Sequence, residues 1–191
     1  WEGKTLVEIG KEMGKDPRDA AMDLVIADRG ETSVIISIMR EDDVRLALSN
    51  PMIAIGTDSG ARAEDGPLSE SKSHPRAWGS FTRILGKYVR DEHLITLEEA
   101  VRRFTSRPAL RVGVTDRGIL RPGMKADITI FNPATVRDVS SYIDPTHYSE
   151  GIRHVFVNGQ AVVANGAITD ARPGQVIRGP GYAPSTGAST P

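Results

Sequence analysis

The chain has 191 residues, of which 39% are hydrophobic and 26% are charged, and its 24 basic and 25 acidic residues leave a net charge of −1. This composition is typical of a soluble globular protein with one large or two small domains. No basic patch is interleaved with aromatic residues and no apolar run could cross a bilayer, so neither nucleic acid nor a membrane is an expected partner. The absence of cysteine excludes disulfides, thiolate ligands and a cysteine nucleophile, and it leaves the compartment open between cytoplasm and periplasm.

Two helices are predicted before residue 31. Thr5-Leu6-Val7-Glu8 is a capping-box pattern, and the helix that it opens is expected to end at Gly14. Asp16-Pro17 offers an N-cap and a first-turn proline for a second helix that extends to about Gly30. Because the chain begins at Trp1, with no methionine or signal peptide, we expect it to be part of a longer gene product.

Two apolar runs then flank a helix. The β-branched run Ser33 to Ile38 and the run Met52 to Thr57 both predict buried strands, and Glu41 to Ser49 predicts the helix between them. Alternation of helices and strands indicates βαβ units with a parallel sheet covered on both faces.

Asp58 follows the second of these predicted strands. It opens a long loop, residues 58–76, which is rich in glycine, proline and charge and ends at His74-Pro75-Arg76. Because α/β folds place catalytic groups at the carboxyl ends of parallel strands, Asp58 is a candidate catalytic residue. The alternative is a capping aspartate at a strand-to-loop turn.

The rest of the chain changes from helical patterns to strands. Trp78 to Val89 is amphipathic, Thr96 opens a further helix, and a short helix follows up to about Gly113. Beyond it, strands are predicted at Ala126 to Phe131 and in a hairpin over Val155 to Val163 that turns at Asn-Gly. A second Asn-Gly turn follows, and the residues from about 180 onward form a loose tail.

These motifs, in this order, resemble a known family. The run Gly118-x-Leu120-x-Pro122-Gly123-x-x-Ala126-Asp127-x-x-x-Phe131, with Val157-Asn158-Gly159 and Val162-x-x-x-Gly166 after it, resembles the C-terminal signature of metal-dependent amidohydrolases. The earlier motifs are similar to those of the N-acyl-D-amino-acid deacylases, or D-aminoacylases: Trp1 to Leu6, Ile55 to Gly60, His74-Pro75-Arg76-x-x-Gly79-x-Phe81, Leu85-Gly86-x-Tyr88-Val89-Arg90 and Thr105-Ser106-x-Pro108-Ala109.

The resemblance implies an α/β fold in two parts. Residues 1–113 would be the last units of a (β/α)8, TIM-type barrel that carries the active-site loop 58–76, and residues 114–182 would be strands of a small β-sandwich, with 183–191 as a flexible tail. It also implies a hydrolase that uses one or two zinc ions to cut the amide of N-acyl-D-amino acids. The family's metal ligands are an early His-x-His, a cysteine and histidines of the middle strands, which this sequence does not contain.

The resemblance assigns roles to particular residues. Asp58 matches the catalytic acid, which would act as general base and acid on a zinc-bound water, and it is also a candidate zinc ligand. Arg76 would bind the substrate's α-carboxylate and His74 would line the pocket, the alternative being a surface arginine and a loop histidine. The other histidines, His93, His147 and His154, are expected to be structural or solvent-facing, and Asp127 to pin a turn.

We therefore expect this chain to be inactive alone and to work with the N-terminal portion of the same enzyme, either as a complementary polypeptide or in one gene product. Two alternatives remain open at the level of the sequence. One is a hydantoinase- or dihydroorotase-like enzyme that acts on a cyclic amide. The other is a non-catalytic scaffold subunit. The acyl group, the preferred side chain and the number of zinc ions are also left open.

Overall fold

The computed structural model describes residues 1, 3–32, 34–36, 38–69, 73–179 and 181–182. The chain divides into two compact units, residues 1–39 and residues 40–191. The boundary predicted at residue 113 falls inside the second unit and stays a prediction, and the predicted tail 183–191 lies outside the described residues. No helix in the described ranges is both long and apolar enough to cross a membrane.

The first unit contains two helices, as predicted. Helix α1 (Leu6–Met13) begins at a complete capping box on Thr5 and ends at Gly14, whose left-handed backbone closes the last turn. Helix α2 (Pro17–Ala27) begins at Asp16, whose carboxylate accepts a hydrogen bond from the Arg18 N–H. A Cβ atom on Gly10 would lie 3.0 Å from the Cα atom of Pro17, so this glycine lets the start of α2 approach α1 closely.

The strand predicted at Ser33 to Ile38 is not present in the described residues of that run. Ser33 and Ser37 lie outside them, and residues 34–36 and 38 form no strand pairing and have exposed side chains. The prediction was wrong there because β-branched residues favour an extended backbone, whereas a strand also requires a neighbouring chain to accept and donate its hydrogen bonds.

The second unit begins with helix α3 (Glu41–Ser49), as predicted. The buried strand predicted at Met52 to Thr57 is a second error, because this segment has no strand partner and Met52 is exposed. One backbone hydrogen bond ties it to its surroundings, from the Ile55 N–H to the Arg103 carbonyl at 3.4 Å. The predicted parallel sheet is therefore not formed within the described ranges.

A run of helices follows. Helix α4 (Arg76–Arg83) continues directly into a π-helix (Ile84–Asp91), then come α5 (Leu97–Phe104) and α6 (Ser106–Arg111). These confirm the helices predicted from Trp78 onward, although the second half of the first is wider than an α-helix, as the hydrogen bond from Glu92 N–H to the Lys87 carbonyl at 2.9 Å shows. Among the described residues, the buried core of the unit is formed by Leu48, Ile84, Leu85, Tyr88, Ala100 and Val136.

Arginines of α5 and α6 hold the segment that leads to Asp58. Arg103, only 2% exposed, donates to the Leu48 carbonyl at 2.6 Å and pairs with Glu99 at 2.7 Å. Arg102 and Arg107 donate to the carbonyls of Pro51 and Met52. The end of α3 and the residues after it are thus fixed by side chains instead of a strand ladder.

The sheet of the second unit has four antiparallel strands in the order β1-β2-β3-β4. They are β1 (Ile128–Phe131), β2 (Ile152–Val157), β3 (Gln160–Ala164) and β4 (Ala167–Ile168). The β2–β3 turn has positive φ at Asn158 (49°) and Gly159 (80°), which is the type I′ geometry that the Asn-Gly pair predicted. The strand and hairpin predictions for this part of the chain are confirmed.

Residues 132–151, between β1 and β2, fold back onto α4 and the π-helix. Val136 is fully buried, and Arg90 donates to its carbonyl at 2.7 Å. A Cβ atom on Gly79 would lie 2.6 Å from the Asp138 Cβ, and one on Gly86 would lie 2.8 Å from the Val136 carbonyl oxygen. These two glycines therefore make room for the returning chain.

Candidate functional site

Asp58 and Arg76, at the two ends of the predicted active-site loop, lie together. The Arg76 Nη1 atom is 3.2 Å from the Asp58 Oδ2 atom. Asp58 has a positive φ of 49°, a backbone region that aspartate tolerates better than most residues. Next to it, the Ser59 N–H donates to the Thr57 hydroxyl at 3.3 Å, which holds the turn.

The Asp58–Arg76 pair is open to solvent. The Asp58 side chain is 90% exposed and that of Arg76 is 46% exposed. An ion pair with this exposure contributes about 0–1 kcal/mol, because water solvates both charges. Arg76 can therefore exchange Asp58 for another carboxylate at little cost in free energy.

His74 supports the backbone of Arg76. Its Nδ1 atom accepts a hydrogen bond from the Arg76 N–H at 3.0 Å, so in this arrangement the ring proton is on Nε2. Burial of the ring, together with the positive charge of Arg76, lowers the pKa of His74 below its ordinary value of 6.5. Both effects favour the neutral imidazole that this hydrogen bond requires.

Two tyrosines of the 132–151 segment reach the same loop, and sequence reasoning missed both of them. The Tyr142 ring meets the His74 ring edge-on, with 5.0 Å between centroids, and the Tyr148 ring meets that of Trp78 at 5.4 Å. The Tyr148 N–H also donates to the Glu64 carboxylate at 3.3 Å. The sequence contained one indication of this contact, which is Gly79 and Gly86 inside the amphipathic helix. A glycine inside a helix often marks a place where another backbone segment approaches closely.

The other three histidines occupy the turn after the π-helix, the connection between β1 and β2, and strand β2. His93 occupies an exposed turn with a φ of 53° after the π-helix. His147 bonds Asp144 at 2.7 Å within its own loop, and the His154 ring stacks on Phe156 in β2, with 6.2 Å between centroids. The roles predicted for Asp58, Arg76 and His74 stay predictions.

The same loop contains one side chain that is suited to binding zinc. A carboxylate such as Asp58 is a suitable zinc ligand, but within the described parts of the chain no three His, Cys, Asp or Glu side chains form a group that could hold an ion. Asp58 could therefore supply one ligand oxygen to a zinc ion. The described residues do not supply enough further ligands to hold the ion.

Asp127 has a different role, which the sequence predicted. Its Oδ1 atom accepts the Asn158 N–H at 2.8 Å and its other oxygen pairs with Arg117, which in turn donates to the Asn158 side chain at 2.7 Å. Partial burial opposes ionisation, but the hydrogen bond from Asn158 and the charge of Arg117 outweigh it and lower the pKa of Asp127. Asp127 thus pins the β2–β3 turn.

Comparison with known proteins gives a consistent picture. A family model for the amidohydrolase family matches residues 6–163. An N-acyl-D-glutamate deacylase of Alcaligenes xylosoxydans xylosoxydans is 40% identical over 176 residues, which is 92% of this chain and 33% of that protein.

Solved structures of similar proteins agree. The crystal structure of an N-acyl-D-glutamate deacylase from Bordetella bronchiseptica, in complex with zinc and a phosphonate inhibitor that mimics the tetrahedral intermediate, is 38% identical, with a TM-score of 0.73 over 92% of this chain and 34% of that one. A D-aminoacylase structure concerned with its binuclear metal center is 36% identical, with a TM-score of 0.76 over 88% of this chain and 33% of that one.

The chain spans about a third of the length of these relatives. The predicted resemblance to N-acyl-D-amino-acid deacylases is confirmed at this level of identity and coverage. With the family match over residues 6–163, the fold and the relatives lead to one assignment: this chain belongs to the amidohydrolase family.

Proposed function

We propose that the full-length protein containing this sequence hydrolyses the amide bond of N-acyl-D-amino acids to a carboxylate and a free D-amino acid. The observation that carries the proposal is the pair of Asp58 and Arg76, 3.2 Å apart at the two ends of one loop, in a chain similar to deacylases of this class. One group is suited to proton transfer and the other to binding a substrate carboxylate.

Asp58 is proposed as the general base and acid. Amide hydrolysis requires a water to lose a proton and the departing nitrogen to gain one, and a single carboxylate next to both can carry out the two transfers. Zinc, when bound, would act as a Lewis acid that activates water and polarises the amide carbonyl. The carboxylate of Asp58 is exposed and accessible to water, and it is also the side chain proposed here as a zinc ligand.

Arg76 is proposed to bind the α-carboxylate of the substrate. A guanidinium matches a carboxylate with two parallel N–H donors, and the exposed pair with Asp58 is weak enough to be exchanged. On exchange, the substrate carboxylate takes Arg76 and leaves Asp58 free to act on the amide. His74 keeps the Arg76 backbone in place through its Nδ1 atom.

The partner of this chain is proposed to be the rest of the same enzyme. Two apolar segments, residues 34–36 and 52–57, are in no strand and expose Val34, Ile35, Ile36 and Met52. As strands of a (β/α)8 barrel they would pair with strands supplied by the remaining two thirds of the protein, which would also supply most of the zinc ligands. The antiparallel strands β1–β4 would belong to a small β-sandwich. On this proposal the 191-residue chain alone is inactive.

The test is an assay of the zinc-loaded full-length enzyme against matched substrates. We expect hydrolysis of an N-acetyl-D-amino acid at least about a hundredfold faster than that of its L-enantiomer, with no turnover by the 191-residue chain alone. Faster turnover of hydantoin or dihydroorotate would favour the cyclic-amide alternative. No amide hydrolysis by the zinc-loaded protein would favour the scaffold.

A further inference from the structure

The segment of residues 138–149 contacts the active-site loop at two places. The Tyr142 ring edge lies against His74, two residues before Arg76. Tyr148 exchanges hydrogen bonds with Glu64, since its N–H donates to the carboxylate at 3.3 Å and its hydroxyl accepts the Glu64 N–H at 3.4 Å. The segment therefore lies along the loop that joins Asp58 to Arg76.

The far end of the segment is firmly anchored to helix α4. The Ser149 hydroxyl donates to the Trp78 carbonyl at 3.1 Å and is 2.6 Å from the Thr82 hydroxyl. Inside the segment, the Ser141 N–H donates to the Asp144 carbonyl at 3.0 Å. These hydrogen bonds hold the backbone next to Tyr142 and further along the segment. They therefore help to keep the Tyr142 ring against His74.

Tyr142 nevertheless remains 65% exposed. It presents most of its surface to solvent beside His74, two residues before Arg76. Ligand sites commonly combine apolar and aromatic walls with a few charged groups that orient the ligand. Tyr142 is suited to line a ligand site of this kind, and Arg76 and Asp58 are suited to orient the ligand.

We propose that Tyr142 is a specificity-determining residue that contacts the side chain of the bound N-acyl-D-amino acid. This inference rests on the proposed function. If Arg76 binds the α-carboxylate and Asp58 serves the amide, two of the substituents on the substrate's Cα are placed. Apart from hydrogen, the substituent that remains is the side chain, and Tyr142 contacts the His74 ring, whose Nδ1 atom accepts the Arg76 N–H.

The test compares Tyr142→Ala and Tyr142→Phe in the zinc-loaded full-length enzyme, with N-acetyl-D-leucine and N-acetyl-D-alanine as substrates. Tyr142→Ala should lower kcat/KM for the leucine substrate about tenfold, mainly by raising KM, because the aromatic contact is lost. For the alanine substrate the change should stay below about threefold, and Tyr142→Phe should lie within about twofold of wild type on both, because the ring is kept.

Ile143→Ala is the matched control, since Ile143 is the next residue and is 83% exposed. It should leave both substrates and the melting temperature unchanged. An equal loss on the two substrates for Tyr142→Ala, or the same selective loss for Ile143→Ala, would overturn the inference while the proposed function stood. If the wild-type enzyme hydrolysed no N-acyl-D-amino acid, the proposed function would fail first and this inference with it.

Discussion

Asp58 and Asp127 are both aspartates paired with an arginine, but their surroundings differ. Asp127 uses one oxygen for the Asn158 N–H and the other for Arg117, and its side chain is 30% exposed. Asp58 has one arginine contact, at 3.2 Å, and its side chain is almost entirely exposed. A carboxylate with both oxygens engaged holds a turn, whereas one with an exchangeable partner is available for binding and proton transfer.

Replacing Asp58 by Asn should separate activity from stability most strongly. In the full-length enzyme we expect Asp58→Asn to lower kcat by about 10³-fold, because the asparagine side chain cannot accept and return the proton of the attacking water. Asparagine also tolerates the positive φ at this position, so the free energy of unfolding should change by less than about 0.5 kcal/mol. Steady-state kinetics and urea unfolding of the same samples would measure both quantities. A large loss of stability would contradict the contrast with Asp127.

The corresponding change at Asp127 should have the opposite profile. Asp127→Asn should lower the free energy of unfolding of the full-length enzyme by about 1–3 kcal/mol, because Arg117 and the Asn158 N–H lose a charged acceptor. Asp116→Asn is the control, since this more exposed aspartate lies 3.9 Å from the same arginine, and it should change stability by less than about 0.5 kcal/mol. Thermal unfolding would distinguish them, and equal shifts for the two variants would contradict the assigned role.

Arg76→Lys should have a smaller effect, confined to substrate binding. Lysine keeps the charge but loses the two-pronged geometry, so KM for N-acyl-D-amino acids should rise about tenfold with kcat changed less than about threefold. Arg40→Lys, in an exposed pair with Asp42, is the control and should leave KM unchanged. A loss confined to kcat would indicate that Arg76 acts on the reaction itself and not on the carboxylate of the substrate.

The smallest expected effect is on the pH dependence of stability. The folded-state pKa of Asp127 lies below its ordinary value of 3.8, so its contribution is present above that value and is lost as the pH falls through the folded-state pKa. The free energy of unfolding of wild type should therefore fall more steeply between about pH 5 and pH 3 than that of Asp127→Asn. Urea unfolding at several pH values would measure the two slopes, and identical slopes would contradict the lowered pKa.

The sequence predicted well the elements whose causes are local. The capping box at Thr5, the Asn-Gly turn at 158–159 and helix α3 depend on residues within a few positions of one another, and all three are present. The segments 33–38 and 52–57 were predicted as strands from short runs of apolar and β-branched residues. A strand requires hydrogen-bond partners from another segment, which residue type does not reveal.

The sequence pointed to the loop residues of the candidate site but not to the residue that contacts them from a distant part of the chain. Asp58, His74 and Arg76 belong to one loop, and the sequence singled them out. Tyr142 was not predicted because it reaches His74 by a return of the chain across more than sixty positions. Nothing near Tyr142 in the sequence indicates its neighbour. The constraint that brings it there is carried by Gly79 and Gly86 on the helix against which the chain returns.

The close packing of residues 132–151 against Gly79 and Gly86 also has a practical consequence. The connection 132–151 between β1 and β2 packs against the helix at these two positions, where the helix has no side chain, and it carries Tyr142. An exchange of this connection between related enzymes would therefore require glycine at both positions in the recipient, together with partners for Val136 and Ser149. Such chimeras would transfer the residue at position 142 from one enzyme to another. The recipient would keep its own residues at the positions of Asp58 and Arg76.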